Sequence, residues 1–272
     1  MMSIRALPIL LLAVAYLAGC SSAEKKPEAQ QQEQRTSQSR QSLLQAQQTP
    51  PAERARLHTD LAAGYYERGQ MDIAIDELNV AVKLDAGYAP AYNIFGLVYA
   101  VLGEDRKAEQ NFERALSLAP NDSDIHHNWG WYLCQHKRER EALEQFDIAV
   151  RNPLYKTPEI ALVNAGRCAI TIGEMRVAES YFRRALAVKP GYELAAYGLA
   201  LIAYKEGRYA DARNWMKGVM QTSNPQPEVL YLGMCVERKL GDNQAELSYV
   251  SQMRNRYPDA PETKAINTEG CQ

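Results

Sequence analysis

The sequence lacks the residue patterns that mark most enzyme active sites. It has four histidines and no H-E-x-x-H zinc motif, no G-x-S-x-G nucleophile motif, no P-loop and no glycine-rich dinucleotide fingerprint. His126 and His127 are adjacent, so a helix would point them to different faces. Cys134 lies two helical turns beyond His127, too far to share a metal ion. His136 is expected near a helix end without a partner. We therefore expect no catalytic site, no metal site and no cofactor.

The sequence also lacks an excess of basic residues. Lys and Arg number 31 and Asp and Glu number 33, which leaves a net charge of −2. A protein that binds nucleic acid by neutralising phosphates needs a basic surplus. We therefore expect no nucleic-acid partner.

The apolar segment near the N-terminus is too short to cross a bilayer. Residues 6–16 follow Arg5 and have the length of a signal-peptide core. The segment ends in Leu-Ala-Gly-Cys at 17–20, which resembles a lipoprotein lipobox. We expect residues 1–19 to be removed and Cys20 to be acylated, with palmitate among the acyl chains. Serines at 21 and 22 then imply sorting to the outer membrane. The alternative is an ordinary secretory signal whose cleavage site contains a cysteine.

Large apolar side chains are almost absent from residues 21–51. Nine of these residues are glutamine, and the segment ends in two prolines. Such a composition cannot bury a core and predicts a disordered linker. Together with Cys20, residues 20–52 form a tether that would reach about 30 Å. This length would hold a domain away from a membrane surface.

From residue 53 onward the chain repeats itself. Turn glycines recur at spacings of 34, 70, 34 and 34 residues: Gly69, Gly103, Gly173, Gly207 and Gly241. The gap of 70 holds two repeats and a two-residue insertion, with Lys137 in the missing turn position. A 34-residue period is that of the tetratricopeptide repeat (TPR). The sequence predicts an all-α TPR right-handed superhelix of about six helix-turn-helix repeats over 53–258, and a C-terminal tail at 259–272.

The TPR motif also predicts how the helices pack. Small residues let the first helix of a repeat approach the second closely, at Gly96, Gly130 and Gly166. Phenylalanines fill the space between repeats, at Phe112, Phe146 and Phe182. Each helical pair has an apolar face that only a neighbouring repeat can cover, so the stack is cooperative.

The first helix of each repeat lines the concave surface of a TPR stack. Several positions expected on this surface are apolar or aromatic, although a solvated face would be polar. We predict a partner-binding set of Tyr66, Asn93, Leu97, Trp131, Ile170, Tyr197, Leu201 and Tyr204. Such a surface suits an extended or helical peptide with apolar anchors. The alternative is that some of these residues pack against the next first helix.

Four cysteines remain besides Cys20, an even number in an oxidising compartment. Cys134 and Cys168 lie 34 residues apart on successive first helices, which predicts a disulfide between repeats three and four. The insertion near residue 157 blurs the register, so two buried free thiols are the alternative. Cys235 and Cys271 form a second candidate pair that would tie the tail to repeat six.

The lipobox, the polar tether, the six repeats and two short segments together resemble the PilF/PilW family of type IV pilus biogenesis lipoproteins. The segments are NWGWYLCQ at 128–135 and NPLY at 152–155. The resemblance implies a non-enzymatic pilotin, lipid-anchored on the periplasmic face of the outer membrane and monomeric alone. It would bind subunits of the outer-membrane secretin and promote their localisation and multimerisation, and so support twitching motility.

Two other hypotheses remain open. A TPR lipoprotein of the same design could be a scaffold for other envelope complexes, such as peptidoglycan hydrolases or outer-membrane assembly. An enzyme with a cryptic site is the second, and the lack of a convergent polar cluster counts against it.

Overall fold

The computed structural model describes Arg35, residues 49–219, residues 224–266 and Cys271. The signal segment, the lipobox cysteine Cys20 and most of the linker lie outside these residues. Pro51–Gln272 is a compact unit by itself. The first helix begins at Pro51, two residues before the predicted start of the repeats, because proline suits the first turn of a helix.

The described residues form thirteen helices and no strand, which confirms the all-α TPR prediction. They are α1 (Pro51–Glu67), α2 (Met71–Leu84), α3 (Ala89–Val101), α4 (Asp105–Leu118), α5 (Ser123–Gln135), α6 (Glu139–Arg151), α7 (Pro158–Thr171), α8 (Met175–Val188), α9 (Glu193–Lys205), α10 (Tyr209–Val219), α11 (Pro227–Leu240), α12 (Asn243–Arg256) and α13 (Pro261–Ala265). Consecutive helices pack as six pairs, and α13 packs against α11 and α12. Within this part of the chain no helix is both long and apolar enough to cross a membrane.

The tight turns inside the repeats use a left-handed backbone. Gly69, Gly103, Gly173, Gly207 and Gly241 have φ between +71° and +76°. Repeat three has Lys137 at this place, with φ of +60°. A residue with a Cβ pays about 1–2 kcal/mol to adopt this conformation, and glycine does not.

Replacing Lys137 with glycine is therefore expected to stabilise the protein by about 1 kcal/mol. The backbone strain that is relieved in the folded state outweighs the conformational entropy that glycine adds to the unfolded chain. The reverse change, Gly103→Ala, is expected to destabilise by a similar amount, because a Cβ there meets no atom within 4 Å and only backbone strain acts. Urea unfolding of both variants measures the effect. Equal stability of wild type and Lys137→Gly would contradict this account.

Paired helices approach most closely where glycine meets phenylalanine. A Cβ added to Gly96 would lie 2.7 Å from the Phe112 ring, and one added to Gly166 would lie 2.8 Å from the Phe182 ring. Neither leaves room for a methyl group. All three motif phenylalanines are buried, which confirms their predicted packing role. One continuous apolar cluster runs through α4 to α9.

The aromatic segment at 129–136 packs as part of this core. The Tyr132 ring stacks on Trp129 at 5.3 Å and on His136 at 4.0 Å between ring centroids. Burial raises the pKa of Tyr132 to about 12. The prediction that His136 has no partner is wrong. Its Nδ1–H donates to the Tyr132 carbonyl (2.8 Å), and its Nε2 lies 3.0 Å from Asp105 Oδ1, because the start of α4 lies beside the end of α5.

Candidate partner-binding groove

The first helices of repeats three to six line three adjoining pockets. The first pocket, of about 220 Å³, lies between α5 and α7. The second, of about 140 Å³, extends from α7 to α11. The third, of about 270 Å³, lies between α9, α11 and α13. Arg167 lines the first two pockets, and Tyr197 and Glu228 line the last two. The three pockets therefore form one path, which we call the groove.

A disulfide lies at the first pocket. Cys134 of α5 and Cys168 of α7 both line it, and the structure joins them with a Cα–Cα distance of 5.9 Å. The second pair, Cys235 and Cys271, is also joined, with a Cα–Cα distance of 5.4 Å. The first bond holds neighbouring first helices together, and the second holds the tail against α11.

The two-residue insertion does not disturb this register, because the loop between α6 and α7 absorbs it. Asn152 Oδ1 accepts the Leu154 N–H at 2.9 Å, and Asn152 Nδ2 donates to Ser123 Oγ at 3.2 Å. The Tyr155 side chain is buried and reaches back to His127, with 2.9 Å between the hydroxyl oxygen and Nδ1. The loop is thus a packed element that leaves α5 and α7 in contact.

His127 sits under this loop as a neutral side chain. Asn164 Nδ2 can only donate, so His127 Nε2 accepts at 2.9 Å. The proton of the ring is then on Nδ1, which donates to the Tyr155 hydroxyl oxygen. Burial lowers the pKa of His127 to about 4.

The low pKa of His127 predicts a loss of stability in mild acid. The unfolded chain binds this proton near pH 6.5 and the folded chain near pH 4, so the free energy of unfolding falls as the pH drops between these values. About 2 kcal/mol should be lost between pH 7 and pH 5. Urea unfolding at both pH values measures this loss. In His127→Gln the loss should be smaller by that amount, and an equal loss in both proteins would exclude His127 as its source.

The structure divides the predicted partner-binding residues into three groups. Trp131, Tyr197 and Leu201 line the groove. Tyr66, Leu97 and Ile170 are half-buried beside the core clusters, outside the three pockets that form the groove.

The third group, Asn93 and Tyr204, is buried. Asn93 is 5% exposed, and its Oδ1 accepts from Asn128 Nδ2 at 3.2 Å, because adjacent first helices pack together here. Tyr204 is 9% exposed and forms part of the third pocket's wall. Its hydroxyl donates to the Cys271 carbonyl at 2.6 Å, so this hydrogen bond to the tail already uses the donor of the Tyr204 side chain.

Sequence reasoning missed the wall of the groove that α11 and α13 provide. Glu228 and Tyr231 of α11 and Glu262 of α13 all line the third pocket. The sixth repeat departs from the TPR motif, so the motif does not assign its first-helix positions. The Cys235–Cys271 pair was the one signal that the tail returns to this repeat.

Charged side chains of both signs line the groove. Arg167 lies at its middle, is exposed and forms no ion pair within the described residues. Glu228 and Glu262 lie at the C-terminal end. Burial raises the pKa of Tyr197, both carboxylates add to this effect, and Arg167 opposes it. The groove thus presents charges of both signs, with Arg167 and Glu193 in the second pocket and Lys205 and Glu262 in the third, between apolar and aromatic side chains.

Comparison with known proteins identifies the chain. TPR sequence models match residues 89–122 and 163–226. The type IV pilus assembly protein PilF of Pseudomonas aeruginosa is 25% identical over 212 residues, which cover 78% of this chain and 84% of PilF. The crystal structure of PilW, described as a widely conserved type IV pilus biogenesis factor, is 30% identical. It superimposes with a TM-score of 0.71 over 78% of this chain and 97% of PilW.

The chain belongs to the PilF/PilW family of type IV pilus biogenesis proteins. The Pseudomonas aeruginosa PilF structure shares the fold, with a TM-score of 0.71 and 24% identity over 79% of this chain and 96% of PilF. The PilF/PilW scaffold is built from TPRs, which are typically non-enzymatic and bind other proteins. In the described residues no three His, Cys, Asp or Glu side chains converge as a metal site would require.

Proposed function

We propose that this family member is the pilotin of a type IV pilus system. It is an outer-membrane lipoprotein that binds secretin subunits through the groove and promotes their localisation and multimerisation. Membership in the PilF/PilW family is the observation that carries this proposal. The role needs no catalysis, because binding and transport along the lipoprotein route suffice.

The groove supports the proposal through its shape and lining. Its path across four first helices suits an extended segment rather than a compact small molecule. Trp131, Tyr197 and Leu201 supply apolar and aromatic contacts of the kind that dominate protein interfaces. Arg167, exposed between them, would pair with a carboxylate of the partner.

The N-terminal sequence supports the membrane part of the proposal. Acylation of Cys20 with several chains would anchor the protein stably, where one chain would not. The polar tether after it would let the repeats reach a partner about 30 Å from the membrane.

The alternative is a periplasmic TPR scaffold for other envelope complexes. It shares the anchor and the groove, and it differs in the partner. Deletion of the gene separates the two, because a pilotin is required for secretin multimers in the outer membrane and a scaffold for hydrolases is not. Normal outer-membrane multimers in the deletion strain would overturn the pilotin proposal.

Cys20→Ala is expected to abolish membrane anchoring and to leave secretin subunits as monomers outside the outer membrane. Membrane fractionation and immunoblotting of unheated samples measure both effects. Ser22→Ala is the matched control, since it leaves the acylated cysteine intact and should preserve multimers. Correct secretin localisation in Cys20→Ala would refute the carrier role.

A further inference from the structure

The third pocket closes the C-terminal end of the groove and is walled on three sides. Tyr197 and Leu201 of α9 face Tyr231 of α11, and α13 provides the third wall. The tail is held in place by the Cys235–Cys271 disulfide and by the Tyr204 hydroxyl bond to the Cys271 carbonyl. The pocket is therefore formed before any partner binds, which reduces the entropy cost of binding.

The charged groups around this pocket are two carboxylates and one ammonium. Glu228 and Glu262 form no ion pair within the described part of the chain, and neither does Lys205. Each glutamate lies in the first turn of its helix, where a carboxylate is favourable. Both glutamates also line the third pocket together with Tyr197, so they border the same space.

The free energy of desolvating the two carboxylates decides which kind of side chain can bind in the third pocket. An apolar side chain in the pocket would remove water from two carboxylates and offer them no partner, which is unfavourable. A cationic side chain would, together with Lys205, balance both negative charges of the pocket. An arginine could also stack its planar guanidinium on tyrosine rings while donating to carboxylates. A volume of about 270 Å³ suits one or two side chains rather than a whole small-molecule ligand.

We propose that the C-terminal pocket of the groove binds a basic side chain, with arginine favoured over lysine, from the secretin segment that occupies the groove. Glu228 and Glu262 pair with the cation, and Tyr197 and Tyr231 contact its stem and its face. This inference rests on the proposed pilotin function and specifies one recognition element of its partner. It also sets direction, because the basic residue lies at the repeat-six end of the groove.

The test couples a change in the protein to a change in the peptide. Fluorescent peptides that tile the periplasmic region of the cognate type IV pilus secretin are titrated against the full-length mature protein, and binding is measured by anisotropy. In the tightest peptide each arginine is replaced by citrulline and each lysine by 6-hydroxynorleucine, which remove the charge and keep the length. The protein variant is Glu228→Gln with Glu262→Gln. Its matched control is Glu113→Gln with Glu144→Gln, two exposed carboxylates on second helices.

Removing the charge of one basic residue in the peptide is expected to weaken the binding of that peptide at least tenfold, both to the wild-type protein and to the control variant. The Glu228→Gln/Glu262→Gln variant should bind the unmodified peptide at least tenfold more weakly and no longer distinguish the two peptides. If the variant still distinguishes them as the wild type does, or if no basic position matters, the inference fails and the pilotin proposal stands. If neither the peptides nor intact secretin subunits bind the wild type, both fail together.

Discussion

Phe182→Ala is expected to lower the free energy of unfolding by about 3–5 kcal/mol. The ring is fully buried and fills space on two sides. It packs against Gly166 of its own repeat, and it also contacts Gly198 of the next repeat so closely that a Cβ there would overlap the ring. Removing the ring leaves a cavity that two glycines cannot fill, because neither has a side chain that could move into it.

Because Phe182 lies between two repeats, its replacement should also change how cooperatively the stack unfolds. In a stack, each repeat is stabilised largely by its neighbours, so a cavity between repeats four and five weakens the coupling of the two halves. We expect the wild type to unfold in a single calorimetric transition, and we expect that transition to broaden or split in Phe182→Ala.

Urea unfolding measures the loss, and two variants calibrate it. Leu154 is 84% exposed in the loop before α7, so Leu154→Ala removes a large apolar side chain from the surface and should change stability by less than about 0.5 kcal/mol. Phe182→Leu keeps part of the volume and should fall between the two. A loss for Phe182→Ala no larger than that for Leu154→Ala would show that the ring does not couple the repeats.

Replacing both Cys134 and Cys168 with alanine is expected to lower stability by about 3–4 kcal/mol. The bond closes a loop across one repeat length, 34 residues, and restricts the unfolded chain accordingly. Alanine is preferred to serine because Cys168 is fully buried, and a hydroxyl there would add a separate cost. Mass spectrometry of the non-reduced protein first establishes the bond, and urea unfolding then measures the loss.

The reducing agent dithiothreitol provides an internal comparison for this prediction. The wild type should lose stability when both of its disulfides are reduced. The Cys134→Ala/Cys168→Ala variant should lose only the stability that the Cys235–Cys271 bond provides. Replacing that second pair should instead release the tail, so protease cleavage after residue 258 should become faster. A wild type that is unchanged by full reduction would contradict the stabilising role of both bonds.

Much of the fold was predictable because its signals are local and periodic. The turn position recurs every 34 residues, and a left-handed backbone is needed there whatever the rest of the chain does. That requirement identifies Lys137 as the exception even before the structure is known. The glycine and phenylalanine positions of the motif follow from the same period, since a close approach between two helices needs a small residue opposite a large one.

The candidate site was predictable only in part. Trp131, Tyr197 and Leu201 line the groove, and their contact with a partner stays a prediction. Asn93 and Tyr204 belong to the same predicted set, yet both are buried, and only Tyr204 lines one of the three pockets. The position of a residue within the repeat places it on a helix face, but it does not show whether a neighbouring helix or a distant segment covers that face.

The sequence by itself therefore determined the repeat, its turns, its internal packing and the pairing options of its cysteines, because each depends on residues close together or one period apart. Tertiary structure alone decided which first-helix positions remain open, how the insertion at NPLY is absorbed, and that the tail completes the groove. These outcomes depend on contacts between segments far apart in the chain, such as the Tyr204 bond to Cys271, and no local pattern encodes them.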